Sequence, residues 1–312
     1  MQSSLAPSSR SILVVIVAYG QEPSKCESFR ALCGILSDNP GLATYFSLVI
    51  YDNSSRADDC LYRIGFPVLY KHDPSNPGLA EAYSFALRLA EEGRHEWLLL
   101  LDQDTSLTEG FIAELIACTE SLRTESGVAS IVPKLLCGGE IYSPSLHFID
   151  QLRHQYRRSN HAVSRDTVGV QKGRLTAYNS GASLRVSALQ SIGGFPREYW
   201  LDYLDHAVFH SLTTRGYTMY VMRTTMVHNM SQAEVARVAA WRQRNLILAQ
   251  TQFVRCTGNI LDRLLYRMWL IRCSRILWLR HPDRSLWKES AIHALTLRGG
   301  LKRTPREGQR SA

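Results

Sequence analysis

Short apolar runs alternate with polar loops and helix-like segments over the first hundred or so residues of the chain. The apolar runs occur at residues 11–18, 46–51, 66–70 and 97–101. Between them, segments such as ESFRALCGIL and GLAEAYSFALRLAEEG have the apolar spacing of amphipathic helices. Repeated units of strand, polar loop and helix predict an α/β domain with a parallel sheet and right-handed crossover connections.

The segment WLLLLDQDTS, residues 97–106, shows where polar chemistry begins. Its consecutive leucines lack apolar and polar alternation, which is typical of a strand buried on both faces. Asp102 and Asp104 follow at once, and ligands of open α/β sheets bind beyond the carboxyl ends of the strands. Two carboxylates at positions i and i+2 of a turn favour a divalent cation with oxygen ligands. The same turn could instead cap the helix that begins in DTSLTEGF, and these residues alone leave both interpretations open.

The second apolar run, FSLVIYDNSS, also ends in an aspartate, Asp52. Asx and Ser side chains in this position often just build a turn by bonding to their own backbone. Two acidic strand ends also suit a nucleotide, with Asp52 bonded to base or ribose and Asp102 and Asp104 holding a metal on the diphosphate. No G-x-x-x-x-G-K-[ST] sequence occurs, and no G-x-G-x-x-G follows the first strand. The sequence therefore gives no support to a P-loop or a dinucleotide-binding fingerprint.

Length and cysteine content are those of an ordinary globular protein. The 312 residues are 45% hydrophobic, which is enough for a substantial core in one large domain or two smaller ones. The start, MQSSLAPSSR, is polar, and the apolar run after it is much shorter than a membrane span. We therefore expect neither a signal peptide nor a transmembrane helix. Seven cysteines without a CxxC pair predict free thiols in a reducing cytoplasm.

The positive charge is concentrated at the C-terminal end. Residues 255–312 hold 13 Lys or Arg against 4 Asp or Glu, which leaves 23 against 24 for the rest of the chain. No zinc-finger spacing or RNA-binding signature accompanies this charge, so we expect no nucleic-acid partner. An anionic membrane surface is the partner that the basic C-terminal tail predicts.

The segment from about residue 259 has the pattern of a basic amphipathic helix. Arg263 and Arg267 lie on one side of it. The apolar positions on the other side are Leu261, Leu264, Leu265 and Met268. This pattern fits an interfacial helix at a membrane, and it fits equally a helix packed against the main domain with a solvated basic face. The tryptophans of this region, which are predicted to be core residues, are Trp269, Trp278 and Trp287.

Eight segments, in order along the chain, carry a resemblance to a known family. They are VVIVAYG, VIYDNSS, NPGLAEAYSFAL, WLLLLDQDT, YNSGASLRVSALQSIGGFP, WLDYLDHAVFHSLTTRGY, VHNMS and WRQRNLIL. In this order and spacing the chain resembles the inverting glycosyltransferases of family 2, and among them the rhamnosyltransferase-like members. The resemblance implies the GT-A fold of nucleotide-diphospho-sugar transferases, an α/β fold with a mostly parallel central sheet and flanking helices. We expect this domain at residues 10–254, a basic helical C-terminal extension at 255–302 and a disordered tail at 303–312.

The resemblance assigns a set of nucleotide-binding residues. Tyr19 and Asp52 match positions that hold the base and the ribose, and Asn76 and Gly78 lie in a loop that borders them. Arg244, in the segment RQRN, matches a late signature near the diphosphate. These five residues form the expected binding site for the nucleotide part of the donor.

The metal site and the sugar pocket are also implied by the resemblance. The segment DQDT matches a DxD-type motif, in which Asp104, with help from Asp102, would hold Mg²⁺ or Mn²⁺ on the diphosphate of a sugar nucleotide. His228 matches a late histidine that completes the metal or diphosphate site in many such enzymes. Ser180 and Gly181 belong to the segment that lines the donor sugar and the acceptor, and Asp102 is also expected to border the donor.

Asp205 is the catalytic base that the resemblance implies, with Asp202 one turn earlier as the alternative. The family places an acidic motif at the start of a helix that continues to an arginine and then to GY. Here Ser211 stands where the arginine is usual, and Ala207 lacks an acidic side chain that is common at its position. Helix-end ion pairing and acceptor preference are therefore expected to differ from those of the family.

Together these features lead to a hypothesis about function. The resemblance implies a metal-dependent inverting glycosyltransferase that moves rhamnose from dTDP-rhamnose to a glycan or lipid-linked acceptor in surface polysaccharide synthesis. Such a protein would be cytoplasmic and peripheral at the inner face of the cell membrane. Two alternatives are a nucleotidyltransferase and a non-catalytic sugar-nucleotide-binding protein. A nucleotidyltransferase should carry a glycine-rich basic loop after its first strand, and VAYGQEPSK has no such loop.

Overall fold

A mixed nine-stranded sheet lies at the centre of the protein, and a two-stranded sheet lies beside it. The computed structural model describes residues 11–58, 66–154, 161–227 and 238–297. The strands are β1 (Ile12–Ala18), β2 (Phe46–Asp52), β3 (Val68–His72), β4 (Trp97–Asp102), β5 (Val128–Cys137), β6 (Glu140–Ser143), β7 (Ser145–Leu146), β8 (Gly169–Gln171), β9 (Leu175–Thr176), β10 (Ala182–Arg185) and β11 (Thr218–Val227).

The large sheet is mostly parallel. Its order is β3, β2, β1, β4, β10, β5, β11, β8, with β6 paired to β5 outside this path. Neighbours among β1 to β4 are parallel, and β11 is parallel to β5. Only β6, β8 and β10 run against their neighbours. Ala18 pairs with Asp52, and Val17 pairs with Asp102, so both acidic strand ends lie at one edge of the sheet.

Helices cover both faces of this sheet. They are α1 (Glu27–Asp38), α2 (Pro40–Ala43), α3 (Leu79–Glu92), α4 (Glu109–Ser121), α5 (Phe148–Arg153), α6 (Val186–Ser191), α7 (Leu204–Thr214), α8 (Ala240–Thr257), α9 (Ile260–Arg280) and α10 (Ser285–Thr296). Alternate residues of β1 face opposite cores: Val15 packs with residues of α3, and Val14 packs with residues of α1 and α4. Because both faces are covered, the strand is apolar at every position.

The first four strands and the parallel order predicted from the apolar runs are confirmed.

The helix after β4 begins at Glu109, and the side chain of Thr108 caps it by accepting a hydrogen bond from the backbone N–H of Phe111. Asp102 and Asp104 therefore do not cap this helix, which removes the simpler explanation of the acidic pair. The six described cysteines are free thiols, as expected.

The C-terminal helices α9 and α10 pack against the main domain, but not through the apolar side that the sequence pattern predicted, since Leu261, Leu264 and Met268 are at least half exposed. Tyr266, Leu270 and Leu286 are buried in the same core cluster as the residues of α3. Trp269 and Trp287 pack at the edge of this cluster, as predicted, but Trp278 is 52% exposed, so that core prediction is wrong. No helix within the described ranges is both long enough and apolar enough to cross a membrane. The expected disordered tail at 303–312 lies outside the described residues.

Candidate active site

Hydrogen bonds between loops link the carboxyl ends of β1, β2 and β4. The backbone N–H of Tyr19 donates to Oε1 of Gln103 at 2.8 Å, and that of Gly20 donates to the Ser54 hydroxyl at 3.0 Å. Gln103 stands between the two aspartates of the DQDT segment, so its amide ties the acidic turn to the end of β1. The ring of Tyr19 is half exposed at this edge. The three loops thus form one surface on which a ligand can rest.

Asp52 is fully buried at the end of β2, and two donors fix its carboxylate. Oδ1 accepts from the Ser54 backbone N–H at 2.9 Å, and Oδ2 accepts from the Tyr70 hydroxyl at 2.7 Å. Burial, together with the bond to Asp52, raises the pKa of Tyr70 to about 12, so the phenol keeps its proton for this bond. The Asx-type turn that local reasoning favoured is present, and the tyrosine of β3 is an orienting partner that the sequence analysis missed.

Asp102 and Asp104 differ in their surroundings although they share one turn. Asp102 is the last residue of β4, and its Oδ2 accepts a hydrogen bond of 2.5 Å from the hydroxyl of Ser180. Asp104 lies two residues further and is exposed. Ser180 leads into β10, which pairs with β4, so the segment predicted to line the donor sugar does adjoin the acidic turn. The backbone of Gly181 adopts a φ of 84°, and its N–H donates to Leu100 O at 3.0 Å.

The acidic turn has the donor atoms that a hard divalent cation requires. Carboxylate oxygens are the preferred ligands of Mg²⁺ and Mn²⁺, and two of them lie at this strand end, where the backbone is already fixed. Among the described residues, no group of three or more His, Cys, Asp or Glu side chains converges as a metal site. His228, the third ligand that the resemblance implies, lies outside the described residues. The chemistry of Asp102 and Asp104 therefore fits a cation that takes its remaining ligands from substrate and water.

A close contact joins the loop before α3 to the loop before α7. The backbone N–H of Leu79 donates to Trp200 O at 2.8 Å, and the indole N–H of Trp200 donates to Asn76 O at 3.1 Å. Gly78 has a φ of 91°, and a Cβ there would approach Trp200 to 2.3 Å. Asn76 and Gly78 are therefore held against the segment that leads to the predicted base. Trp200 is a second residue that the sequence analysis did not select.

Asp205 lies in the first turn of α7 and faces a narrow recess. The lining of this recess includes Ser143, Thr176, Tyr178 and His206. Desolvation raises the pKa of Asp205 to about 6, although a backbone N–H bond from His206 at 2.8 Å opposes the shift. Burial also lowers the pKa of His206 to about 4, so this neighbour is neutral at physiological pH and leaves the charge of Asp205 unbalanced. A carboxylate with a pKa near 6 is suited to general-base work.

Asp202 has a different environment from Asp205. Its side chain is only 6% exposed, and its Oδ1 lies 3.8 Å from an amino group of Arg242 at the start of α8. Tyr203, between this aspartate and the helix, adopts a left-handed backbone with φ of 67°. Because of this turn, Asp202 faces α8 while Asp205 faces the recess. The ion pair gives Asp202 a structural partner.

The two departures from the family pattern lie on the buried side of α7. Ala207 is a core residue, and the hydroxyl of Ser211 donates to Ala207 O at 2.9 Å. Both side chains are small and uncharged, so α7 packs without an ion-pair partner at either position. Neither departure alters the turn that holds Asp205.

Arg244 and Arg242 both lie in the first turns of α8 but have different partners. Arg244 donates through Nε to Glu289 at 2.8 Å and through an Nη atom to Asp283 at 3.0 Å. Its guanidinium therefore ties α8 to the segment around α10. Arg242, which the sequence analysis missed, is the arginine that pairs with Asp202 before α7. Its position two residues from the selected arginine was visible in WRQRN, but the direction of each side chain was not.

The buried Tyr83 on α3 connects the two acidic regions electrostatically. Desolvation is the main cause of its strongly raised pKa, and the charges of Asp102 and Asp205 add to it. The acidic turn after β4 and the first turn of α7 are therefore close enough to act on one hydroxyl. The structure brings together residues that are about a hundred positions apart in the sequence.

Comparison with known proteins adds evidence at the level of structure. No family model and no curated protein sequence matches the chain. S. aureus TarS 1-349 in complex with UDP-GlcNAc matches with a TM-score of 0.54 and 13% identity, over 91% of this chain and 79% of that one. GalNAc-T7 with UDP, GalNAc and Mn²⁺ matches with a TM-score of 0.56 and 11% identity, over 93% and 56%. The chain thus spans a little more than half of that second structure. TarS and GalNAc-T7 are GT-A proteins, and the likeness shows that this chain has the GT-A fold.

Proposed function

We propose that the protein is a metal-dependent inverting glycosyltransferase that uses a nucleotide-sugar donor. The observation that carries the proposal is a desolvated carboxylate near an acidic strand end: Asp205, with its pKa of about 6, and Asp102 both act on the buried hydroxyl of Tyr83. Asp52 and Asp102 end strands that both pair with β1, and Asp104 follows Asp102 in the same turn. A binding site alone has no need of a desolvated carboxylate, whereas a displacement reaction needs a base.

Each group has a distinct part in the proposed reaction. Asp205 would take the proton of an acceptor hydroxyl as its oxygen bonds to the anomeric carbon, and the bond to the nucleotide diphosphate breaks with inversion. Mg²⁺ or Mn²⁺, held by Asp104 and Asp102, would supply charge that stabilises the departing diphosphate. Asp52 and Tyr19 would orient the nucleoside, and Ser180 would fix the Asp102 carboxylate. Protonated Asp205 then releases its proton to solvent.

The ligands of the two matched structures support a nucleotide-sugar donor. TarS is in complex with UDP-GlcNAc, and GalNAc-T7 is with UDP, GalNAc and Mn²⁺. For this chain we propose dTDP-rhamnose, because the segments that resemble rhamnosyltransferase-like members extend over most of the sequence. We also propose a glycan or lipid-linked acceptor, a role in surface polysaccharide synthesis and a peripheral position at the inner face of the cell membrane. The concentration of basic residues after residue 255 supports the membrane part of this proposal.

A thermal-shift screen of donors tests the proposal directly. The full chain is heated with dTDP-rhamnose, UDP-GlcNAc or UDP-GalNAc, each with and without Mn²⁺. A ligand that binds the native state alone raises its stability by about 2.7 kcal/mol at a hundred times its Kd. We expect the largest rise with dTDP-rhamnose and Mn²⁺ together. A larger rise with a UDP-sugar would change the donor and keep the reaction, and no rise with any sugar nucleotide would refute both.

Product analysis separates this reaction from the two alternatives. A nucleotidyltransferase would release pyrophosphate, whereas the proposed transfer releases the nucleoside diphosphate and links the sugar with inverted anomeric configuration. Donor binding without turnover over a panel of glycan and lipid-linked acceptors would favour a non-catalytic binding protein. NMR of the anomeric proton of the product reports the configuration.

A further inference from the structure

The C-terminal helix pair has an exposed apolar side that the fold of the chain does not cover. We call this side the outer face and define it by six side chains that are 50% to 73% exposed. They are Leu264, Met268, Ile271, Trp278, Ile292 and Leu295. Single exposed apolar residues are ordinary, but several of them on two helices that pack together indicate an interaction surface.

The opposite side of α9 already makes the contacts that hold it to the domain. Tyr266, Leu270 and Leu277 are buried, and Tyr266 stacks on Trp269 with ring centroids 5.6 Å apart. The exposed positions 264, 268, 271 and 278 follow the spacing of one helix side, away from the buried one. A helix that is apolar on two sides needs two partners, and the main domain supplies only one.

The charges of the helix pair are divided between the inside and the outside. All three acids in residues 260–297 bond to arginines of other elements. The acids are Asp262, which accepts from Arg153 of α5, and Asp283 and Glu289, which accept from Arg244 of α8. The same residues include seven Lys or Arg, and exposed Arg272 and Arg275 lie on the outward side of α9. Ion pairing thus occupies all three acids with arginines of other elements, and Arg272 and Arg275 add positive charge to the apolar outer face.

The helix pair is also connected to the recess of the candidate site. The ring of Phe148 contacts Tyr266 of α9 at 6.1 Å and Tyr203 at 5.4 Å between centroids. Tyr203 in turn stacks on His206, which lines the recess with Asp205. One aromatic layer therefore separates the outer helices from the first turn of α7.

We propose that the outer face inserts in the plane of an anionic lipid bilayer. Leucine, isoleucine and tryptophan side chains would enter the boundary between headgroups and acyl chains, and Arg272 and Arg275 would extend to the lipid phosphates. The proposal rests on the peripheral membrane position proposed above and deepens it, but it does not depend on the proposed reaction, which a glycosyltransferase with a soluble acceptor could also perform. It differs from attraction by a basic tail alone, because apolar insertion persists when salt screens the charges.

Vesicle co-sedimentation of the full chain tests the insertion. The vesicles are phosphatidylcholine alone or mixed with phosphatidylglycerol, at low and at high salt. The triple variant Leu264→Ser, Met268→Ser, Ile271→Ser removes apolar side chains that are at least half exposed, so its fold should hold. We expect it to bind anionic vesicles at least about tenfold more weakly than the wild type at both salt concentrations. The double variant Arg272→Gln, Arg275→Gln should have a weaker preference for anionic vesicles, to which the other basic residues after residue 255 still contribute, and should keep its salt-resistant binding.

A matched control replaces exposed apolar residues elsewhere. Leu69→Ser in β3 and Val170→Ser in β8 change side chains that are 44% and 45% exposed and should leave vesicle binding unchanged. Equal binding by the triple variant and the wild type would overturn the proposal. The proposal would also be overturned if the wild type bound neither kind of vesicle and formed a dimer that the triple variant does not form. A second copy of the chain would then cover the outer face. Thermal shifts of the triple variant with nucleotide sugars measure donor binding independently of the membrane. A donor shift equal to that of the wild type would show that a change in vesicle binding is not a failure of the proposed reaction.

Discussion

Two sides of the candidate site, the strand ends and the first turn of α7, hold carboxylates in opposite ways. On the strand-end side, Asp52 and Asp102 accept hydrogen bonds from Tyr70 and Ser180, and each aspartate ends a strand of the parallel sheet. On the helix side, Asp205 faces an aromatic recess where desolvation raises its pKa to about 6. Hydrogen bonds favour a fixed, ionised carboxylate that binds, whereas desolvation favours one that exchanges a proton near neutral pH. The strand-end carboxylates are thus suited to binding, and Asp205 is suited to proton transfer.

The largest expected effect is on turnover in Asp205→Asn. Loss of a positioned general base typically costs about 10²- to 10⁴-fold in rate, and we expect kcat to fall within this range. Donor affinity, measured by thermal shift, should stay near that of the wild type because the strand-end side is unchanged. Asp202→Asn is the matched control and should have a smaller effect on kcat, since Asp202 pairs with Arg242. The reverse order of the two variants would move the base to Asp202.

The next effect is on donor affinity in Asp104→Ala. The aspartate is exposed beyond β4, so the fold should be unaffected. Loss of even an indirect support of a metal ion costs about 10- to 100-fold in affinity, and a direct ligand should cost at least as much. Titration of the donor in Mn²⁺ measures the effect, with Asp38→Ala at the exposed end of α1 as control. Unchanged affinity in Mn²⁺ would contradict the metal assignment.

A smaller effect on kcat/KM is expected when the pH is lowered. The base must be ionised to accept a proton, so kcat/KM should fall about tenfold for each pH unit below about 6 and be level above it. A profile whose acidic limb lies near pH 4 would show that the functional carboxylate is not desolvated. The pH profile of the Asp205→Asn variant should lack this acidic limb. Its absence would assign the limb to Asp205.

The raised pKa of Asp205 also predicts how stability changes with pH. The native state keeps the proton up to about pH 6, whereas an unperturbed aspartate loses it near 3.8. The native state thus binds more protons within this window, and stability falls as pH rises through it. The ionised residue would cost up to about 3 kcal/mol above pH 6. Chemical denaturation of Asp205→Asn at pH 4 and pH 8 checks this, because its advantage should appear only at the higher pH.

The smallest effect is expected for Tyr70→Phe on the strand-end side. It removes the donor to Asp52 Oδ2, and hydrogen bonds to charged groups contribute about 1.5 to 3 kcal/mol. We expect a stability loss at the lower end of that range and a loss of nucleotide affinity of less than about tenfold. Tyr51→Phe is the control, because its hydroxyl bonds to Asp73 at 2.8 Å and not to Asp52. Equal loss of affinity in the two variants would mean that Tyr70 does not act through Asp52.

The chain's own sequence determined the strand-end side of the cleft. Continuous apolar runs such as WLLLL can be satisfied only by burial on both faces, and parallel strands then place Asp52 and Asp102 at one edge. Both the burial of the strands and the position of the aspartates follow from short stretches of chain. The only other requirement is that parallel strands end at the same edge of a sheet. The GT-A fold, which the order of eight segments implied, is confirmed by the structural matches.

Tertiary structure decided everything that depends on side-chain direction between distant segments. Tyr70, Trp200 and Arg242 act on site residues through contacts that span between 18 and 124 positions of sequence, and no local pattern marks them. The distinction between Asp202 and Asp205 arises from the left-handed turn at Tyr203, which periodicity does not reveal. The sequence pattern predicted the apolar side of α9 that includes Leu264 and Met268, but the domain covers a different side, which includes Tyr266 and Leu270. Sequence spacing fixes the side of a helix on which a residue lies, whereas its partner depends on elements folded from elsewhere in the chain.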